Sequence, residues 1–103
     1  MHVVVVGAGI GGLSCAIACR RANPPLQVTV LERVPEILTI GAGIHVPPNA
    51  TKVLTEFGLL EKLKAAKAHV QQYFRLRRWE DGRTISEREI GARAAEEYGA
   101  EWL

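Results

Sequence analysis

Three glycines near the start of the chain have the spacing of a phosphate-binding turn. The stretch GAGIGG places Gly7, Gly9 and Gly12 in the pattern G-x-G-x-x-G. In such a turn the first glycine permits a tight bend, the second lets the backbone approach a diphosphate, and the third permits close contact between helix and strand. The amides in the first turn of the following helix attract the anion. The pattern alone is weak evidence, because glycine-rich turns are common.

The residues around these glycines strengthen the interpretation. Residues 3–6 are an unbroken run of valine, which is typical of a strand that is covered on both faces in a parallel sheet. Apolar residues at helical spacing predict a helix over residues 10–22, and LQVTVL at 26–31 predicts a second strand. Strand, glycine turn, helix and strand together predict a parallel βαβ unit.

A carboxylate stands where a dinucleotide site needs one. Glu32 directly follows the second predicted strand, twenty residues after Gly12, which is the usual position of the acidic residue that binds the ribose hydroxyls. A carboxylate there would repel a ribose 2′-phosphate, which argues against NADP at this site. Arg33 is interpreted as a surface or ribose-edge residue. FAD and NAD stay equally possible at this point, because both carry an adenosine diphosphate, and an ordinary surface glutamate beside a glycine turn is the simpler alternative.

The remainder of the chain predicts mixed helices and strands. Residues 33–50 are interpreted as a long connection, followed by a short helix that ends at Gly58 and a second one up to about Ala66. Residues 71–79 and 83–90 predict a hairpin around Asp81-Gly82, which has the chemistry of a type I′ turn. The tail is helix-prone up to Tyr98 and shows no clear end.

The hairpin mixes aromatic residues with arginines, a combination that also occurs in proteins that bind nucleic acids. Acidic residues dilute its charge, so a partly covered hairpin is the favoured explanation and no nucleic-acid partner is predicted. The net charge of the 103-residue chain is only +2, which does not require a nucleic acid or an acidic membrane.

The composition is that of a small globular protein, with 48% hydrophobic and 23% charged residues. The apolar N-terminal run is too short and too rich in glycine for a membrane span, and no signal-peptide cleavage site is evident. We therefore expect a cytoplasmic protein without a membrane partner. Cys15 and Cys19 are interpreted as small packing residues, and neither a metal site nor a catalytic side chain is predicted.

Several stretches resemble the N-terminus of the FAD-dependent aromatic hydroxylases of the salicylate hydroxylase type. They are GAGIGGLSCAIACRR, the LER at 31–33, and IGAGIHVPPNATKVLTEFGLLEKL at 40–63. The resemblance implies that Gly7, Gly9 and Gly12 contact the diphosphate of FAD, and that Glu32 contacts the adenosine ribose. It also implies that Arg33 lies beside that ribose and that the turn containing Gly41 and Gly43 runs close to the flavin. Simple loop flexibility is the alternative for Gly41 and Gly43.

The resemblance further implies a flavin monooxygenase that hydroxylates a small aromatic substrate with NAD(P)H and O2, the flavin supplying the chemistry. Another FAD-linked oxidoreductase of the same superfamily, or a non-catalytic remnant that binds an adenine nucleotide, is the alternative. A doubly wound domain normally has five or six strands, and only two parallel strands are predicted here. Residues 1–103 are therefore interpreted as a partial, Rossmann-like FAD/NAD(P)-binding α/β domain, a fragment that lacks the remaining FAD-binding segments and the substrate domain and is inactive alone.

Overall fold

The computed structural model describes residues 1–36 and 43–103, which divide into two compact units, residues 1–42 and 43–103. The first unit contains β1 (His2–Val6), α1 (Ile10–Ala22) and β2 (Gln27–Leu31). The second unit contains α2 (Pro48–Glu56), α3 (Leu60–Ala65), β3 (Tyr73–Arg77), β4 (Thr84–Glu89) and α4 (Gly91–Tyr98). Within these described ranges, no helix combines the length and the apolar character that a membrane span requires.

The first unit is the parallel βαβ arrangement that the sequence predicts. Strands β1 and β2 pair in parallel, with Val4 opposite Thr29 and Val6 opposite Leu31. Helix α1 packs on both strands, and it ends before Asn23, whose N–H donates to the carbonyl of Cys19 at 3.1 Å. The predicted helix and both strands are confirmed to within one residue.

Strand β1 is covered on one face only. Val3 and Val5 are half-buried on the side of α1, whereas the side chains of Val4 and Val6 are 51% and 84% exposed. The valine run is typical of a strand covered on both faces of a parallel sheet, and the second face has no cover within the described part of this unit. The physical reason is that α1 is the one described element that packs on this two-stranded sheet.

Helix α2 begins earlier than the sequence predicts. Pro48 was expected to belong to the long connection, but it opens the helix, where a proline loses no hydrogen bond and its fixed φ suits the first turn. The buried hydroxyl of Thr51 donates to the carbonyls of Val46 and Pro47, both at 3.2 Å. At the other end the backbone turns at Gly58 with a φ of +70°, which confirms the predicted end of this helix.

The hairpin differs from its prediction in the turn. Strands β3 and β4 are antiparallel, but the N–H of Arg78 donates to the carbonyl of Arg83 at 2.8 Å, which leaves residues 79–82 as the loop. A type I′ turn needs a positive φ at both central residues, and of Asp81 and Gly82 only the glycine has one, at +71°. Every residue of both strands is exposed, although Arg88 of β4 lies 4.0 Å from Glu97 of α4, so the cover of the hairpin is slight.

The core of the second unit lies where α2, α4 and the last residues meet. Ala94 and Leu103 are 2% and 4% exposed, and the backbone of Leu103 exchanges hydrogen bonds of 2.6 and 3.0 Å with Val46. Helix α4 extends to Tyr98, as far as the helix-prone stretch, and Gly99, with a φ of +66°, provides the end that the sequence does not show and turns the chain back toward Val46.

Candidate functional site

The turn between β1 and α1 is fixed to the end of β2. Gly7 has a φ of +100°, a conformation that L side chains rarely adopt, so this corner requires glycine. The N–H of Gly7 donates to the carbonyl of Leu31 at 2.7 Å. The turn and the residue after β2 are thereby brought to the same edge of the sheet, where parallel α/β folds bind ligands.

Gly12 lets α1 lie directly against this turn. A Cβ built at Gly12 would lie only 1.9 Å from the carbonyl oxygen of Gly7 and 3.4 Å from the side chain of Val5. No side chain fits in that space. The third glycine of the pattern thus has a steric reason in the packing of the helix against the strand and turn.

The first turn of α1 presents free backbone amides. Gly9 is the N-cap and provides no side chain to cap the helix, and the first turn contains no acidic residue. Among the described residues, none accepts a hydrogen bond from the amides of residues 9–12. A Cβ at Gly9 or Gly11 would meet no atom within 4 Å, so open space lies beside these donors. Unpaired N–H groups at a helix N-terminus form an anion-binding cradle.

The carboxylate of Glu32 lies at the same turn. Its Oε2 accepts the N–H of Ala8 at 2.7 Å, and its Oε1 accepts the N–H of Val34 at 2.9 Å. The backbone hydrogen bonds from Val34 and Ala8 hold the pKa of Glu32 below its ordinary value, so the group is charged at neutral pH. Each oxygen retains a lone pair for a further donor, such as a ribose hydroxyl.

Four of the residues that the sequence singled out therefore come together, namely Gly7, Gly9, Gly12 and Glu32. Arg33 is exposed directly beside Glu32. Gly43 is exposed in the second unit, and a Cβ there would meet no atom within 4 Å. Gly41 lies outside the described residues. Sequence reasoning missed the amides of Ala8 and Val34, because a backbone donor carries no residue-type signal.

The two cysteines of α1 differ in exposure. Cys15 is exposed and Cys19 is half-buried, and α1 contains no buried residue, so the packing role expected of Cys15 is not found in this unit. Burial and the neighbouring Cys15 raise the pKa of the Cys19 thiol, which disfavours the reactive thiolate. In the described parts of the chain, no group of three or more potential metal-ligating side chains occurs.

The chain is similar in sequence to a known family and to several known proteins. Residues 5–41 match a family model described as an NAD(P)-binding Rossmann-like domain. The matched range includes the glycine turn and Glu32. The chain is 38% identical over 86 residues to FAD-dependent monooxygenase OpS4 of Beauveria bassiana, covering 84% of this chain and 19% of that protein. It is 36% identical over 102 residues to 6-hydroxynicotinate 3-monooxygenase of Pseudomonas fluorescens, covering 99% of this chain and 26% of that protein.

A third relative is 3-hydroxybenzoate 6-hydroxylase 1 of Aquipseudomonas alcaligenes, which is 38% identical over 86 residues, or 84% of this chain and 20% of that protein. The chain is homologous to FAD-dependent aromatic monooxygenases. The resemblance found in the sequence is thus confirmed, as is the Rossmann-like α/β fold of the first unit. The chain spans between 19% and 26% of the length of these three relatives.

Proposed function

We propose that this chain binds the ADP half of FAD as the N-terminal, nucleotide-binding portion of a flavin-dependent monooxygenase. The observation that carries the proposal is the juxtaposition of the open amides of residues 9–12 with the carboxylate of Glu32, which hydrogen-bonds to the same turn. The matched Rossmann-like family supports a dinucleotide, and the names of the relatives support FAD.

The geometry fits each part of ADP. The diphosphate occupies the space beside Gly9 and accepts hydrogen bonds from the free amides, aided by the positive end of the α1 dipole. The ribose hydroxyls donate to Glu32, which has spare acceptor capacity and is charged at neutral pH. That Arg33 flanks the ribose and that Gly43 lies close to the flavin are proposed from the family resemblance alone.

The uncovered side of the first sheet supports an incomplete doubly wound domain. Val4, Val6 and Leu31 are all at least half exposed on the face opposite α1, and β1 pairs on one edge only within the described residues. In a doubly wound sheet both faces are covered by helices and a central strand has two neighbours. In this proposal, the missing strands and helices come from the part of the complete enzyme that corresponds to the remaining length of the relatives.

The flavin, once bound, supplies the redox chemistry of hydroxylation with NAD(P)H and O2. The residues described here contribute binding and orientation of its nucleotide end, and the aromatic substrate binds elsewhere in the complete enzyme. In this proposal the complete enzyme is cytoplasmic. Its partners are small molecules, and it binds neither a nucleic acid nor a membrane.

The test is a titration of FAD into the chain, followed by flavin fluorescence, with competing ligands. We expect ADP to displace FAD, because both present the same group to the turn, whereas FMN lacks the adenosine half and does not compete. We expect 2′,5′-ADP to compete less well than ADP, because its 2′-phosphate meets the charge of Glu32. Failure of the wild-type chain to bind FAD and ADP, or displacement by FMN, contradicts the proposal.

The matched variant is Gly9→Val. A Cβ at Gly9 meets no protein atom within 4 Å, so we expect the valine to fill the diphosphate space without disturbing the fold. We expect the affinity for ADP to fall about 100-fold or more, since several charge-assisted hydrogen bonds are lost. Wild-type affinity in a folded Gly9→Val variant places the nucleotide elsewhere.

A further inference from the structure

The amides of the glycine turn divide into two groups. The N–H of Gly7 donates to the carbonyl of Leu31, and the N–H of Ala8 donates to the carboxylate of Glu32, both at 2.7 Å. The amides of residues 9–12 have no acceptor among the described residues. The first half of the turn is therefore held by the protein, while the second half is available to a ligand.

We propose that Glu32 is a positioning residue that holds the glycine turn in its anion-binding conformation before any ligand arrives. This inference rests on the proposed function, and it adds to the ribose contact a role toward the diphosphate. One carboxylate joins Ala8 in the turn to Val34 after β2, two segments that are far apart in sequence. Glycine loses more conformational freedom on ordering than other residues, so a glycine-rich turn benefits most from being held in advance.

The hydrogen bonds are of the kind that can do this. A charged carboxylate makes stronger hydrogen bonds to backbone amides than a neutral acceptor does. The lowered pKa of Glu32, caused by these amides, shows that they favour the charged form. Both hydrogen bonds are exposed to solvent, so their strength comes from the charge of the carboxylate and from the short distances, and not from burial.

Positioning and charge act in opposite directions on a ligand that has phosphates but no ribose. The negative carboxylate repels an anion at the neighbouring amides, so its removal strengthens the binding of inorganic pyrophosphate if the ribose contact is its only role. If Glu32 also holds the turn, its removal weakens the binding of pyrophosphate. The sign of the change therefore separates the two roles.

The experiment is calorimetry of ADP and of inorganic pyrophosphate with the wild-type chain, Glu32→Ala, Glu32→Gln and Glu36→Ala. We expect Glu32→Ala to weaken the binding of pyrophosphate about 10-fold, the usual effect of losing one charge-assisted hydrogen bond. Glu32→Gln should fall between it and the wild type, because its amide oxygen can still accept from one backbone N–H. Glu36→Ala removes the same charge from an exposed position nearby and should leave the affinity unchanged.

Equal or tighter binding of pyrophosphate by Glu32→Ala, together with weaker binding of ADP, overturns the positioning role and leaves the ribose role. A ligand-free measurement completes the test, namely the hydrogen exchange rate of the Ala8 amide by NMR. We expect exchange at Ala8 to become about 10-fold faster in Glu32→Ala and to stay unchanged in Glu36→Ala. Unchanged exchange in Glu32→Ala also overturns the inference.

These two readouts keep the inference separate from the proposed function. If the wild-type chain binds neither ADP nor FAD, the proposed function fails, yet the exchange rate at Ala8 still decides whether Glu32 holds the turn. If Glu32→Ala loses the NMR signals of β1 altogether, the variant has unfolded. Glu32→Gln then provides both the comparison of affinities and the exchange rate at Ala8 that decide the role of Glu32.

Discussion

The two units differ in what they contain: the first contains the candidate site, and the second contains the buried core. No described residue of the first unit is buried, yet Gly7, Gly12 and Glu32 meet there in a defined geometry. The second unit buries Ala94 and Leu103 and shows no comparable cluster of open donors beside a carboxylate. Backbone conformation and hydrogen bonds, rather than a packed core, therefore set the geometry of this candidate site.

Glycine illustrates the difference at two positions of close approach. A Cβ at Gly12 would lie 1.9 Å from the carbonyl oxygen of Gly7, within the turn that presents the free amides. A Cβ at Gly91 would lie 2.9 Å from the carbonyl oxygen of Gln71, where α4 starts against the residues that precede β3. Gly12 thus preserves the geometry of the candidate site, and Gly91 preserves the packing at the start of α4.

The largest effect is expected from Gly12→Ala. The new methyl group cannot coexist with the carbonyl of Gly7, so the turn or the helix must move, at a cost of about 3 kcal/mol or more. We expect loss of ADP binding and loss of hydrogen-exchange protection in β1 and β2, measured by NMR. Protection in the second unit should be unchanged.

The matched control is Gly11→Ala, one residue away in the same helix. Its Cβ meets no atom within 4 Å, and alanine favours a helix over glycine by about 1 kcal/mol, so the first unit should keep or gain stability. If Gly11→Ala unfolds the first unit as Gly12→Ala does, the clash with Gly7 is not the reason for the third glycine.

A smaller effect, in the other unit, is expected from Gly91→Ala. The added methyl group meets both the carbonyl of Gln71 and the side chain of Gln72 at 2.9 Å, and the side chain can move while the backbone cannot. We expect a loss of about 1–3 kcal/mol in the unfolding free energy of the second unit, measured by chemical denaturation. The affinity for ADP should stay at the wild-type value, and an equal loss of affinity would contradict the division of roles between the units.

The sequence predicted the first unit closely because local signals dominate there. The valine run, the glycine turn and the proline after Asn23 each restrict the backbone by themselves, and α1 has the predicted bounds. The valine run indicates a strand that is covered on both faces in a complete sheet, and the exposure of Val4 accompanies the two parallel strands and one helix that the sequence predicts for this unit. The start of α2 at Pro48 and the longer hairpin loop were missed because proline and Asp-Gly each suit more than one local structure.

The candidate site was predictable to the same extent. The structure requires glycine at positions 7 and 12 for steric reasons, and the G-x-G-x-x-G pattern places glycine at both. Glu32 stands at the position where the pattern predicts a carboxylate. The roles of Ala8 and Val34 were not predictable, since every residue except proline has a backbone N–H. The steric role of Gly91 was not predictable either. In the sequence Gly91 is only a residue with low helix propensity, and the structure is needed to show the atoms that exclude a side chain there.

The smallest effect is expected from an ion pair that joins two parts of the second unit. The ammonium group of Lys64 lies 2.5 Å from the carboxylate of Glu101 and 3.9 Å from that of Glu61, and Glu61 is far more exposed than Glu101. The hydrogen bond with Glu101 raises the pKa of Lys64. Glu101→Gln should therefore lower the melting temperature slightly, by less than Gly91→Ala does, and Glu61→Gln should lower it less still.

The dependence on pH and salt identifies the cause of this small effect. Because the folded state raises the pKa of Lys64, the stabilisation is fully present below the ordinary value of 10.5 and is lost as the pH rises through the higher folded value. The difference between the wild type and Glu101→Gln should thus be constant across neutral pH, shrink in strongly alkaline solution, and shrink in high salt at any pH. Equal melting temperatures for Glu101→Gln and Glu61→Gln would show that the shorter pair contributes no more than the exposed one, and that the burial of Leu103 and its backbone hydrogen bonds with Val46 hold the end of this unit.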